Sequence, residues 1–380
     1  MSLYHLPTHM LRALAGSRPG DTAGREPAGR MGIDFCSHDY LGFSKLGLLE
    51  RKLRETERLR DDLGAGSAGA RWISGERHLI GKVEEQIAMF HHARSALIFN
   101  SGYEAILGLL SSVPQSTDLI LYDEQVNAPI RDGIRLSQAR AYAFRHNEVE
   151  SLEALIQQHQ KYFENIYVVV ESVYAVEGNS APLLELEEIC QDFRNIFLIV
   201  DETHAIGVFG RQGRGLCNAL SLETKVFARI YAYDKAMGCH GAAVVGSEAL
   251  KDYLARYART LTNTMALPYC SVEAIKHAYQ LLIETDQKDQ LQSNIAYFYS
   301  RTASMKPCVR SQSAVHTFLA GSNELADQID QELRTSHIHV RALRSPEVRP
   351  GQERICFTVH AFNTREEIDL LLGLLSRFCR

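Results

Sequence analysis

The apolar residues of this chain fall into two rhythms. Short, mainly apolar runs at 96–100, 118–122, 166–170, 196–200, 226–231 and 241–246 each have the length of one strand. Between them lie helical stripes: 79–90 has apolar residues at 79, 80, 83, 87 and 90, and 101–110, 149–160 and 184–192 also read as helices. Strands of this kind, separated by helices, imply right-handed crossovers and a mainly parallel sheet flanked by helices, an α/β fold. A long helix over about 270–285 ends this alternation. Beyond it, a strand near 315, a helix over 323–335, strands near 338 and 355 and a helix over 365–378 suggest a smaller α+β unit. The expected organisation is an N-terminal arm and small-domain segment over 1–60, a large domain over 61–285 and a C-terminal small domain over 286–380, because one core rarely serves a chain of 380 residues.

Two of these runs end in polar clusters that carry the chemistry. The run 196–200 leads directly into Asp201-Glu202-Thr203-His204, and the run 226–231 leads into Asp234-Lys235-Ala236-Met237-Gly238. Open α/β sheets bind ligands outside the carboxyl ends of their strands, so Asp201, His204 and Lys235 are expected at one such edge. A lone Asp, His or Lys is usually a surface charge or a satisfied polar group, and it is the joint order that points further. A carboxylate and a lysine on neighbouring strands suit pyridoxal phosphate, whose aldehyde condenses with an amine while an acid pairs with its ring nitrogen. The turn Ser101-Gly102-Tyr103 opens a helix, and the free N–H groups of a helix start suit a phosphate; an ordinary strand-to-helix turn is the plainer alternative.

The segments Leu-Ile-Val-Asp-Glu-Thr-His-Ala-Ile-Gly-Val-Phe-Gly (198–210), Gly-Arg-Gly (213–215) and Lys-Ala-Met-Gly-Cys-His-Gly-Ala (235–242) resemble the α-oxoamine synthases, a family of fold-type-I pyridoxal-phosphate enzymes. The likeness extends over about residues 33–378. It includes the entry motif 37–44, with His38 where the family has asparagine, and the glycine-rich loop 64–75, expected to line the mouth of the site. The resemblance implies catalytic roles for Lys235, His204 and Asp201: Lys235 as the amine that binds the cofactor, Asp201 on its ring nitrogen and His204 on its phenolic oxygen. It further implies that Ser101, Gly102 and Tyr103 hold the phosphate, that Asn127 stands where the family has a histidine stacked on the ring, and that Thr264 reaches the phosphate of a neighbouring subunit. Arg145 and His146, in the family's Arg-His-Asn linker, read as structural.

The same alignment exposes departures. Ala175 and Ala232 replace a serine and a threonine that bind phosphate in the family, and Cys356 replaces the arginine that binds the amino-acid carboxylate. Arg344 and Arg354 are the candidate substitutes. The resemblance implies decarboxylative condensation of an amino acid with an acyl-CoA or acyl-carrier thioester, in a homodimer. The departures leave open a degenerate member acting as a partner or binding subunit, in a heterodimer, and less readily an aminotransferase.

Composition narrows little beyond this. Net charge is -5 without long runs of one sign, so nothing points to nucleic acid, and no stretch is apolar enough to suggest a membrane span. The eight cysteines include no Cys-x-x-Cys pair, which argues for reduced thiols, a cytoplasmic setting and no metal site. Residues 1–30 faintly resemble a transit peptide in their arginines, but Asp21 and Glu26 interrupt it and a mobile arm is the preferred reading.

Overall fold

The computed structural model describes residues 6–16, 32–57, 66–67, 69–75 and 78–379. After the short β1 (Ile33–Asp34), the strands β2 (Ser95–Phe99), β3 (Leu119–Asp123), β4 (Arg140–Phe144), β5 (Ile166–Glu171), β6 (Ile196–Asp201), β7 (Ala228–Ala232) and β8 (Ala242–Gly246) form one seven-stranded sheet. Its order is β2-β8-β7-β6-β5-β3-β4, and β4, β3, β5, β6 and β7 run parallel. Helices Gly102–Ser112, Val149–His159 and Leu183–Gln191 are among those that link the strands, and apolar cores fill both faces of the sheet.

Three features depart from the sequence expectation. β8 runs antiparallel to both β2 and β7. The connection from β7 to β8 is the loop 233–241, with no helix to carry the chain back for a parallel pairing. The apolar pattern does not predict β4, because this strand lies at the sheet edge, where only Phe144 is buried and no apolar run is needed. A third addition is the helix Gln287–Thr302, whose polar first turn hides its buried face of Leu291, Asn294, Ile295 and Phe298.

The C-terminal part comprises β9 (Cys308–Val309), β10 (Val315–Leu319), β11 (Ile338–His339), β12 (Arg341–Leu343) and β13 (Arg354–Thr358), with helices Asn323–Thr335 and Arg365–Ser376. β12, β13, β10 and β9 make an antiparallel sheet, while β11 pairs in parallel with β1. The N-terminal residues 33–43 are bound to this unit: Phe35 donates to the His339 carbonyl at 3.0 Å and its own carbonyl accepts from Thr358 at 2.9 Å. Gly178 seats the loop after β5 against β10. Its φ is +71°, and a Cβ there would stand 2.0 Å from the Val315 carbonyl oxygen, so only glycine permits the contact. Within the arm, Thr8–Gly16 is helical, and the rest of residues 1–31 lies outside the described residues, apart from 6 and 7.

Candidate active site

The carboxyl ends of β5, β6 and β7 converge on a buried acidic centre. Asp201, the last residue of β6, is 2% exposed. Its Oδ1 accepts from the Thr203 N–H at 3.0 Å and its Oδ2 from the side-chain amide of Asn127 at 3.2 Å. Burial pushes its carboxyl above the usual range, opposed by the bonds from Thr203 and Asn127 and by the charge of Lys235. The parallel register sets Glu171, the last residue of β5, beside it. Glu171 accepts from the Asn127 N–H at 2.6 Å, and its Oε2 is buried without a partner among the described residues. Burial and then the neighbouring Asp201 charge push Glu171 well above the carboxylate range, which favours its protonated form. Asn127 thus touches both acids, and it also caps the helix Ala128–Leu136 by accepting from the Ile130 N–H at 3.2 Å.

His204 is 5% exposed, and burial holds its imidazole well below the usual pKa, hence neutral. The Tyr40 hydroxyl lies 2.7 Å from its Nδ1. Burial raises the Tyr40 phenol far above its ordinary value, and it has no other partner among the described residues, so it donates to Nδ1 and leaves Nε2–H of His204 as the free donor. The ring of His38 stands edge-on to His204, centroids 5.9 Å apart, and burial pushes its pKa down to about 4. Sequence reasoning missed Tyr40 and Glu171 as site groups. Their signals were the tyrosine of the 37–44 motif and the acid ending an apolar strand.

Lys235 lies on the loop after β7, and its Nζ donates to Asp234 at 2.6 Å. Its charge acts on Asp201, His204 and His38, lowering the pKa of each. The helix Gly102–Ser112 starts beside the end of β7. Ser101 caps it by accepting from the Glu104 N–H at 3.2 Å, which leaves its own hydroxyl proton and the first-turn N–H groups of Gly102 and Tyr103 to bind an anion. A Cβ on Gly102 would meet that of Ala232 at 2.6 Å, so glycine is what lets this turn approach the strand end. The Tyr103 phenol turns away to donate to Asp132 at 2.7 Å, leaving only its backbone at the turn. Asn100 donates to Thr264 at 3.3 Å and to the Met265 carbonyl at 2.9 Å, and the Ala266 N–H binds the Gly69 carbonyl at 3.0 Å. The described part of the glycine-rich loop is thereby joined to the Thr264 segment; Gly64, Ala65 and Ala68 lie outside the described residues. This donor set fits pyridoxal phosphate: a buried carboxylate for the ring nitrogen, an imidazole N–H for the phenolic oxygen, an amine for the aldehyde and a helix start for the phosphate.

The two arginines considered for a substrate carboxylate are already engaged. Arg344 is bound to Asp327 and to Asp330, the latter at 2.8 Å, and Arg354 is 5% exposed and paired with Glu177. Arg145 pairs with Glu148 and His146 with Asp123, both as structural links.

Residues 30–373 match the family of class I and II aminotransferases. The chain is 35% identical to an 8-amino-7-oxononanoate synthase of Emericella nidulans, with 90% of this chain and 88% of that protein covered. It is 30% identical to the aminoacyl transferase sphA of Byssochlamys spectabilis, with coverages of 92% and 81%. Among solved structures, a serine palmitoyltransferase from S. paucimobilis with a bound PLP–myriocin aldimine superposes with a TM-score of 0.84 at 25% identity, covering 91% of this chain and 87% of that one. An 8-amino-7-oxononanoate synthase from Francisella tularensis gives 0.78 at 28% identity, with coverages of 92% and 98%.

Proposed function

The chain belongs to the class I and II aminotransferase family, in its α-oxoamine synthase branch, and on that footing we propose that it is a pyridoxal-phosphate-dependent acyltransferase. Its reaction joins an amino acid to an acyl-CoA or acyl-carrier thioester: a carbon–carbon bond forms at the α-carbon, the thioester bond breaks, and the products are an α-amino ketone, carbon dioxide and the free thiol. The observation that carries this reading is the convergence of Asp201, His204 and Lys235 at the ends of β6 and β7.

Each residue has a task that its surroundings permit. Asp201, kept by two hydrogen bonds and the nearby Lys235 charge, holds a proton on the ring nitrogen. His204, its tautomer set by Tyr40, donates from Nε2 to the phenolic oxygen. Ser101 and the N–H groups of Gly102 and Tyr103 bind the phosphate. Bound pyridoxal phosphate supplies a sink for the electron pair left at the α-carbon of the amino acid. Lys235, once its amine is released, takes the α-proton; Asp234, at 2.6 Å, steadies the ammonium form that results.

A homodimer is part of this reading. Trp72, Ile73 and Met265 are exposed apolar side chains on or next to the segment that includes Thr264, where a second copy could cover them. A cytoplasmic location fits the free state of all eight cysteines. Among the described residues no helix is long and apolar enough to cross a membrane. The test is an absorption spectrum of the purified protein with added pyridoxal phosphate, followed by borohydride trapping and peptide mapping. A near-visible band trapped on Lys235 is the expected result, and absence of any band at saturating cofactor would refute the reading. Light scattering that shows only monomer would remove the dimer.

A further inference from the structure

The antiparallel pairing of β12 with β13 sets Arg341 directly opposite Cys356. Residues directly opposed in an antiparallel pair project from the same face of the sheet. That face is turned toward the loop after β5 and the 37–44 segment that carries His38 and Tyr40. Thr317, which opposes Cys356 from the other side, donates to the Val176 carbonyl at 2.6 Å; Arg354, two residues before Cys356, binds Glu177; and Thr358, two residues after it, donates to the Ser37 carbonyl at 2.6 Å. The guanidinium of Arg341 is thus carried by the strand beside the position where the family's carboxylate-binding arginine has become cysteine.

We propose that Arg341 binds the carboxylate of the amino-acid substrate and that Glu347 is a resident counter-ion which that carboxylate displaces. The proposal rests on the acyltransferase reading. Arg344 and Arg354 are held by carboxylates in largely buried pairs, which are costly to break. Arg341 instead meets Glu347 at 2.6 Å with both side chains about half exposed, and pairs of that kind are weak and readily exchanged. The charge of Arg341 also acts on His38 of the 37–44 segment and on Cys356 opposite it. A guanidinium offers two parallel N–H donors to a carboxylate, which lysine cannot do.

The experiment compares binding of L-alanine with that of L-alaninamide, which lacks the carboxylate, to the cofactor-loaded enzyme by the change in cofactor absorption. In the unaltered enzyme the acid should bind the more tightly. Arg341→Gln should weaken L-alanine by roughly 10- to 100-fold, the loss of a charge-assisted bond, and leave the amide within about twofold. Glu347→Gln should tighten L-alanine, and adding Cys356→Arg to Arg341→Gln should restore the preference for the acid. An acid preference unchanged by Arg341→Gln overturns the role of Arg341 alone. No spectral response to L-alanine, glycine or L-serine in the unaltered enzyme overturns both this inference and the reading beneath it.

Discussion

The side-chain amide of Asn127 donates to Oδ2 of Asp201 at 3.2 Å while its backbone N–H donates to Glu171 at 2.6 Å. Asn127 therefore ties together two buried acids. Asn127→Ala removes the amide from Asp201 and the cap from the helix Ala128–Leu136, each worth about 1–2 kcal/mol. Urea unfolding should show a loss of roughly 2–4 kcal/mol. A change below half that range would mean that the amide and the cap are dispensable.

Glu171 gives a pH signature. Its folded pKa is raised above the unfolded value of 4.5, so the folded state retains a proton that the unfolded state loses as pH climbs. Its contribution is fully present below the unfolded pKa and is eroded as pH rises from there toward the folded pKa. Glu171→Gln keeps the acceptor for Asn127 and cannot ionise. Between about pH 5 and 8 its unfolding free energy should therefore fall less, or rise more, than that of the unaltered protein. Parallel curves would show that Glu171 does not hold the proton.

Lys235→Ala should abolish borohydride-stable attachment of pyridoxal phosphate. The noncovalent contacts at Asp201 and the 101–103 turn remain, so equilibrium dialysis should still detect cofactor. Trapped label elsewhere in the chain would reassign the amine.

Tyr40→Phe deletes the donor to Nδ1 of His204. With the tautomer no longer fixed, turnover should drop by roughly 10-fold, the worth of one such bond, while cofactor content stays near that of the unaltered enzyme. An undiminished rate would show that His204 is oriented by other contacts.

Ala175 is half-buried on the loop after β5. If the phosphate is held where the 101–103 turn points, Ala175→Ser should tighten pyridoxal phosphate by roughly 10-fold through one charge-assisted bond. Unchanged affinity would place the phosphate out of reach of this loop.

The sequence by itself determined the α/β class, most of the sheet's strands and the acid, imidazole and amine at their ends. The causes are local: runs buried on both faces, helical stripes between them, and polar residues where strands stop. Tertiary structure alone decided which strand turns back, because β8 reverses through the length of a loop rather than through its own residues. It also decided which arginines are available. Arg341, Arg344 and Arg354 look alike along the chain, and only the pairing of β12 with β13 and the positions of Asp330 and Glu177 separate the half-exposed cation from the two committed ones. The partners that fix a side chain's charge and freedom come from distant parts of the sequence, as Tyr40 does for His204, and no local pattern encodes them.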